Sequence, residues 1–284
     1  MTSNSPHSAY SSTYERMTGN CTRLIAAEMI STITPPITSS SHVLDNACGP
    51  GIVSEQVKLV HRDTKIMATD LSSAMIEEVQ QRVKSQGWSN VRTETLDIRS
   101  LSSSLPVDIF THVLTNLGLP IPNDPDYGLK AVREMFRVLQ PGGVAMVSTW
   151  ADRVWPNAFL NTARTIRPHE LPHNSLGLDI KFMRGSWLME MLENAGFGNN
   201  VEVRPFVTYT SARSLDELVE NMMLAKGMFF PGYSDQELQR AKSLLREELQ
   251  KTRTFEKVDG GVRIGMKAWI GVGWKRGDET DVPL

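Results

Sequence analysis

Apolar residues alternate between two spacings along the first half of this chain. Short segments typical of strands lie at 43–46, 66–69, 91–95, 107–114 and 144–148, and those at 66–69, 107–114 and 144–148 are rich in apolar residues. Between these runs, apolar residues recur at intervals of three or four, as in Val53, Val57 and Val60, which predicts helices. Regular alternation of strand and helix predicts an α/β fold with a doubly wound parallel sheet and helices on both faces.

The flanks of this pattern predict the remaining organisation of the chain. Residues 1–12 are polar and are expected to be disordered, and 13–41 are expected to form a cap segment with one helix at 13–33. Residues 42–284 are expected to form a single domain. Its later elements are predicted as a helix at 186–195, a strand at 201–208, helices at 214–230 and 235–252, and a last strand at 262–274. Two insertions, 150–185 and 209–255, are expected to cover the substrate, the second as a helical lid over the open sheet edge.

Composition narrows the classes of function. Net charge is −2 with 22% charged and 40% hydrophobic residues, so no global field favours nucleic acid or an acidic membrane. No apolar run approaches the roughly 20 residues of a membrane span, and the polar start of the chain lacks the apolar core of a secretory signal. The two cysteines exclude a disulfide framework. We therefore expect a cytoplasmic monomer that acts on a small molecule.

A glycine-rich turn is the most informative motif. Residues 43–51 read as a short strand, an acid at Asp45, and a turn through Gly49 and Gly51 that opens a helix. Glycine lets a ligand approach the backbone, and the helix N-terminus adds N–H donors. A carboxylate beside backbone donors suits a ligand that carries both an ammonium and a carboxylate group.

A dinucleotide-binding turn is the rival interpretation of the same motif. The glycine spacing reads G-x-G-x-x-S, with Ser54 where the dinucleotide fingerprint has its third glycine. Asp70 lies 21 residues after Gly49 and fits either interpretation. Asp45 and Asp97 favour S-adenosylmethionine over a nicotinamide, and the Tyr-x-x-x-Lys signature of many dehydrogenases is absent from the sequence.

The ordered set of motifs resembles the class I S-adenosylmethionine-dependent methyltransferases over residues 40–150 and 186–274. The set comprises the 45–51 turn, Asp70, the sequence LDI at 96–98, TNL at 115–117 and LQPGG at 139–143. The resemblance implies a Rossmann-like sheet of seven strands and S-adenosylmethionine as cofactor. The cofactor-binding residues that it implies are Tyr14, Asp45, Asn46, Ala47, Gly49, Gly51, Asp70, Leu71, Met75, Asp97, Ile98, Thr115 and Asn116.

The resemblance also implies individual roles for these residues. Asp70 is expected to accept hydrogen bonds from the ribose hydroxyls, and Asp97 to accept one from the adenine amino group. Thr115 and Asn116 are expected to border the methionine part of the cofactor. Leu71 and Met75 could sandwich the adenine or ribose, and Tyr14 could cover the cofactor. Met75 and Tyr14 fit core packing equally well.

A narrower similarity links the chain to fungal small-molecule methyltransferases of secondary metabolism, bis-thiomethyltransferases among them. It is carried by VLDNACG at 43–49, Gly87–Trp88, the sequence STW at 148–150 and the methionine-rich segment 214–230. This similarity implies an apolar acceptor, with a thiol as the expected acceptor group. The predicted acceptor contacts are Trp150, Trp155, Met222 and Phe229.

Acceptor chemistry determines whether a base is needed. A thiol with a pKa of about 8.5 ionises at pH 7 for roughly 2 kcal/mol, whereas an aliphatic hydroxyl near 15.7 would need roughly 12 kcal/mol. A thiol or a neutral amine can therefore react through orientation alone, and no catalytic residue is predicted. His112 within the fourth strand is a weaker candidate base, and no metal site is indicated. N- or O-methyl transfer and a cofactor-binding fold without methyl transfer are the alternatives.

Overall fold

The structure is a computed structural model, and it describes residues 15–119, 126–173 and 179–277. The strands are β1 (His42–Asn46), β2 (Lys65–Asp70), β3 (Val91–Thr95), β4 (Phe110–Asn116), β5 (Leu139–Asp152), β6 (Val201–Ala212), β7 (Phe255–Val258) and β8 (Gly261–Trp274). The helices are α1 (Cys21–Thr32), α2 (Ile52–Val60), α3 (Ser73–Gln86), α4 (Tyr127–Val138), α5 (Pro156–Ile166), α6 (Gly185–Leu192), α7 (Leu215–Met223), α8 (Lys226–Phe229) and α9 (Asp235–Gln250).

The chain divides into two compact units that interleave along the sequence. The larger unit contains 23–151, 179–206 and the C-terminal residues from Ala268, and the smaller contains the N-terminal residues to Thr22, 152–178 and 207–267. The single domain expected from 42 onwards therefore contributes to both units. No helix among the described residues is both long and apolar enough to cross a membrane.

A sheet forms the centre of the larger unit. Its strand order is β3-β2-β1-β4-β5, followed by the end of β8 and the start of β6, and the pairs from β3 to β5 are parallel. Register pairs Asn46 with Thr69, Asp70 with Thr95, and Asn116 with Ser148. The carboxyl ends of four neighbouring strands therefore meet at one edge, which is where parallel α/β sheets bind ligands.

Helix α4 shows how the sequence pattern produces this packing. Its apolar residues recur at helical spacing, and Ala131, Val132, Met135 and Val138 are fully buried in the main core of the larger unit. The helix ends at Val138, before Pro141, which cannot continue it. Leu139 pairs with Phe110 and Val144 with His112, so the residues between them form an irregularity at the start of β5.

The structure corrects several sequence predictions. The described chain has eight strands in its sheet, not seven, because 255–258 forms the antiparallel partner β7 of β8. The fourth strand covers 110–116 rather than 107–114. The 150–185 stretch contains helix α5, and the helical segment 214–230 is divided into α7 and α8. The helix expected at 13–33 is interrupted at Gly19, which has a φ of 56°.

Candidate cofactor site

The turn after β1 is built on left-handed backbone. Ala47, Gly49 and Gly51 have φ values of 54°, 52° and 83°, a region that costs most residues about 1–2 kcal/mol. Cys48 N–H donates to Thr69 O at 2.9 Å, which ties the turn to the end of β2. A Cβ built at Gly49 meets no atom within 4 Å, so the space over this glycine is open to a ligand.

Asp45 lies beneath the turn and is only 1% exposed. Its Oδ2 accepts hydrogen bonds from Ser54 N–H at 2.9 Å and from the Ser54 hydroxyl at 2.6 Å. Its Oδ1 is buried and finds no donor among the described residues. Asp45 therefore lies beneath the turn, and its Oδ1 keeps an unsatisfied hydrogen-bonding capacity.

Burial raises the pKa of Asp45 to about 6 from 3.8, against the hydrogen bonds from Ser54 that lower it. The pKa of Asp45 is higher in the folded state than in the unfolded state, so the protonated carboxyl stabilises the folded protein. This contribution to the free energy of unfolding is complete below about pH 4 and is lost as the pH rises through 6. Asp45→Asn is therefore expected to be more stable than the wild type at pH 7.5, by about 3 kcal/mol at 1.36 kcal/mol per pKa unit.

Urea unfolding of both proteins between pH 4 and 8 tests this expectation. The stability difference should shrink towards zero near pH 4, because the wild-type carboxyl is then protonated. The substitution should also weaken binding of S-adenosylhomocysteine, since stabilisation at the expense of binding is typical of functional sites. Equal stability of the two proteins at pH 7.5 would show that the buried, ionised Asp45 carboxylate does not destabilise the folded protein.

Asp70 is the last residue of β2 and connects the turn to the next helix. Its Oδ2 accepts from Gly49 N–H and its Oδ1 from Ser72 N–H, both at 2.9 Å. Ser72 in turn caps α3 by accepting from Met75 N–H at 3.4 Å. The carboxylate that is expected to hold the ribose therefore also fixes the backbone on both sides of it.

Asp97 is paired more strongly within the chain than the sequence suggested. Arg99 donates to its carboxylate through Nε at 3.0 Å and through Nη2 at 2.6 Å, and Arg99 N–H adds a bond at 2.8 Å. These bonds hold the pKa of Asp97 below its usual value, so it is ionised at neutral pH. Asp97 would keep lone pairs for an adenine amino group, with Arg99 fixing its orientation.

A buried polar chain crosses the tips of β2, β1 and β4. The Thr69 hydroxyl donates to Asn46 Oδ1 at 3.2 Å, and Asn46 Nδ2 donates to Thr115 Oγ1 at 3.5 Å. All three side chains are at most 1% exposed. Asn46 and Thr115 therefore support the edge from within, and Asn116, which is half-buried, is the β4 residue nearer to solvent.

The remaining predicted cofactor residues differ in exposure. Leu71 is 60% exposed, which leaves its side chain open to a ligand, and Met75 is half-buried. Ile98 is buried in the main core of the larger unit. Tyr14 lies outside the described residues.

The predicted acceptor residues fall in different units. Trp150 is half-buried on β5 in the larger unit. Trp155, Met222 and Phe229 belong to the smaller unit and are 9%, 1% and 1% exposed. Phe229 stacks on Phe159 at 4.4 Å between ring centroids and meets Trp155 edge-on at 5.9 Å. These three residues form part of the core of their own unit.

His112 has the hydrogen bonds of a structural residue. Its Nε2 lies 3.0 Å from Pro35 O and its Nδ1 2.7 Å from Thr111 Oγ1, and it is 2% exposed. Burial lowers its pKa, which favours the neutral ring. Both ring nitrogens are engaged, so His112 has no lone pair available for an acceptor proton. Within the described part of the chain, no three His, Cys, Asp or Glu residues are grouped so as to hold a metal ion.

Two further residues shape the site through contacts that their sequence positions do not indicate: Ser54 and Gly118. Ser54 was noted only as a departure from a glycine pattern, although a hydroxyl one turn into the helix can reach a carboxylate at the strand tip. Gly118 carried no signal, but a Cβ there would lie 2.8 Å from Ala47 Cβ and 2.9 Å from Thr115 Cγ2. The loop after β4 is thus in tight contact with the glycine turn.

These features place the candidate site at the carboxyl edge of the sheet of a Rossmann-like α/β fold. Residues 43–143 match the family described as a methyltransferase domain. Residues 43–143 therefore form a methyltransferase domain, and S-adenosylmethionine is the cofactor of this domain. The predicted α/β fold class, the predicted resemblance to methyltransferases and the predicted cofactor are confirmed.

Similar proteins include fungal methyltransferases. The chain is 31% identical to methyltransferase tpcH of Aspergillus fumigatus, over 55% of this chain and 56% of that protein. It is 28% identical to the acetylaranotin bis-thiomethyltransferase of Aspergillus terreus, over 55% of this chain and 53% of that protein. The chain therefore spans about half the length of these relatives.

One solved structure extends the likeness to most of the chain. It is phosphoethanolamine N-methyltransferase 2 of Haemonchus contortus, with a TM-score of 0.56 and 16% identity, covering 94% of this chain and 57% of that chain. At this identity the likeness shows a common fold.

Proposed function

We propose that this protein transfers the methyl group of S-adenosylmethionine to a sulfur atom of a small, largely apolar metabolite. The observation that carries the proposal is the glycine turn with an acid on either side. Asp45 has a buried oxygen without a hydrogen-bond donor, and Asp70 accepts a hydrogen bond from Gly49 N–H. The space over Gly49 is open. One carboxylate buried beneath the turn and a second one bonded to Gly49 N–H suit a cationic ligand with hydroxyl and ammonium donors. A pyrophosphate would be repelled by both acids.

The residues of the site bind and orient the cofactor. S-adenosylmethionine supplies a methyl group that is already activated by the positive charge on its sulfur. Asp70 would accept hydrogen bonds from the ribose, and Asp45 would balance positive charge from below the turn. Alignment of two bound reactants can lower a barrier by roughly 7–11 kcal/mol, so orientation can account for most of the rate.

A thiol acceptor agrees with the absence of an available base on β4. His112 is engaged at both nitrogens, and a thiol needs only roughly 2 kcal/mol to ionise at pH 7. The similarity to a bis-thiomethyltransferase supports the same acceptor atom. Trp150 is our candidate for contact with the acceptor in the larger unit, because it is half-buried and lies on the same face of β5 as Ser148. Trp155, Met222 and Phe229 remain the candidates from the smaller unit.

A panel of matched acceptors tests the acceptor atom. Isosteric small molecules that bear a dithiol, an amine or a hydroxyl would be incubated with the protein and methyl-labelled S-adenosylmethionine, and the products identified by mass spectrometry. We expect transfer to the dithiol, with the pre-methylated dithioether as an inert control.

Each other outcome points to a named alternative. Transfer to hydroxyls alone would refute the thiol proposal and imply a base outside β4. Tight cofactor binding without transfer to any acceptor would favour a fold that binds the cofactor without methylating. Absorbance change at the nicotinamide band with any substrate would instead indicate a dehydrogenase.

A further inference from the structure

The loop that follows β3 is fastened to helix α4 by side chains. The guanidinium of Arg99 lies over the ring of Tyr127, with its central carbon 5.1 Å from the ring centroid. Tyr127 is the first residue of α4, and it is 5% exposed in the main core of the larger unit. Further along the loop, Ser102 N–H donates to Glu134 Oε2 at 2.8 Å. The loop therefore takes its position from a helix that the core holds in place.

The backbone on either side of Asp97 is fixed by hydrogen bonds. Leu96 N–H donates to Asp70 O at 3.0 Å, and Ser100 N–H donates to Asp97 O at 2.9 Å. Asp70 is the residue proposed to hold the ribose, so Asp97 is tied through its neighbour to the end of β2. The freedom that these bonds leave to Asp97 is the rotation of its carboxylate.

Arg99 fixes that rotation. Its Nε donates to both carboxylate oxygens of Asp97 at 3.0 Å, its Nη2 to Oδ2 at 2.6 Å, and its backbone N–H to Oδ1 at 2.8 Å. These three donors meet a carboxylate with about four lone-pair sites, so acceptor capacity for one more donor is left. The same bonds hold the pKa of Asp97 below its usual value, so the group is an anion at neutral pH. Its side chain is 25% exposed, which leaves it accessible to a ligand.

We propose that Arg99 is a positioning residue that directs the remaining acceptor site of Asp97 at the 6-amino group of the adenine. A carboxylate already held in one orientation loses no rotational freedom when the ligand binds, so its hydrogen bond contributes more to affinity. The proposal rests on the function proposed above, because it requires S-adenosylmethionine to bind at this edge of the sheet. It implies that Arg99 acts on recognition of the purine, and not on recognition of the ribose or the amino-acid end.

Two ligands that differ only at position 6 of the purine test the proposal. One is S-adenosylhomocysteine, and the other is its analogue with a hydrogen atom in place of the 6-amino group. In calorimetry we expect the wild type to prefer S-adenosylhomocysteine about tenfold, as for a hydrogen bond to a charged group, and Arg99→Met to reduce this preference to less than about threefold. Equal weakening of both ligands in Arg99→Met would leave the preference unchanged and overturn the proposal.

Arg137 supplies a matched control at the same junction of loop and helix. Its Nε donates to Glu134 Oε1 at 2.8 Å and its Nη2 to Leu105 O at 3.0 Å. Arg137→Met therefore removes an arginine ion pair from this junction and keeps the donors to Asp97. We expect this variant to melt at a lower temperature than the wild type and to keep the full preference for S-adenosylhomocysteine. A loss of preference as large as that of Arg99→Met would show that loosening the loop is enough, and would refute the positioning role.

Arg99→Lys separates orientation from charge. Lysine keeps the positive charge but lacks the planar fork that bonds both carboxylate oxygens. We expect this variant to fold and to lose most of the preference for the 6-amino group. Full preference in Arg99→Lys would show that charge alone is sufficient, which contradicts an orienting role.

A double-mutant cycle tests whether Arg99 acts through Asp97. Asp97→Ala should abolish the preference between the two ligands, and adding Arg99→Met to it should change the ratio of the two affinities no further. A further change would refute the coupling. Failure of the wild type to bind S-adenosylhomocysteine would refute the proposed function, whereas equal affinity of the wild type for the two ligands would refute this inference only.

Discussion

Gly49→Leu is expected to abolish measurable binding of S-adenosylhomocysteine, with at least a hundredfold loss of affinity. A Cβ at this glycine would enter space that the rest of the chain leaves empty within 4 Å. The larger side chain would fill the volume where the cofactor is proposed to approach the backbone. Its left-handed backbone, with φ of 52°, would also destabilise the fold by roughly 1–2 kcal/mol.

Gly87→Leu separates these two effects. Gly87 ends α3 with a φ of 66°, and a Cβ there also meets nothing within 4 Å. This variant should show a similar fall in melting temperature with full cofactor affinity, measured by calorimetry on both proteins. If Gly49→Leu still binds S-adenosylhomocysteine as well as Gly87→Leu does, the cofactor does not lie over the turn.

Asp70→Ala is expected to weaken cofactor binding at least tenfold and to lower stability. Two charge-assisted hydrogen bonds to the ribose would be lost, each worth about 1.5–3 kcal/mol. The variant would also lose the acceptors of Gly49 N–H and Ser72 N–H, so the turn itself would be less well ordered. Calorimetric titration with S-adenosylhomocysteine, alongside thermal unfolding, measures both losses.

Ser72→Ala is the control for the structural part of this effect. It removes the hydroxyl that caps α3 through Met75 N–H and leaves the Asp70 carboxylate in place. A lost cap costs about 1 kcal/mol, so stability should fall without a matching loss of affinity. Unchanged cofactor affinity in Asp70→Ala would remove Asp70 from the ribose site.

The tips of β1 and β2 could be predicted because their chemistry is local in sequence. An apolar strand followed by an acid and two glycines determines a strand, a turn and a helix start within ten residues. The positions of Asp45 and Asp70 at the same edge then follow from parallel pairing alone. Helix α4 and its end before Pro141 also follow from local sequence, because the apolar spacing and the proline lie within the same short segment.

Partners of these acids could not be predicted, because they depend on side-chain orientation rather than on spacing. Arg99 pairs with Asp97 two residues away, but a charged neighbour in a loop carries no directional signal. Ser54 reaches Asp45 from the first turn of α2, which follows Gly51 in the left-handed region. Strand β7 was missed because its four residues are largely exposed and lack an apolar run.

Close approach of Gly118 to Ala47 restricts how the binding edge can vary among descendants of this sequence. The two loops, 71 residues apart along the chain, share one small volume, so added bulk in either must be offset by lost bulk in the other. Changes at positions 47 and 118 should consequently be inherited as compensating pairs. Diversification of ligand preference would then fall on positions outside this pair.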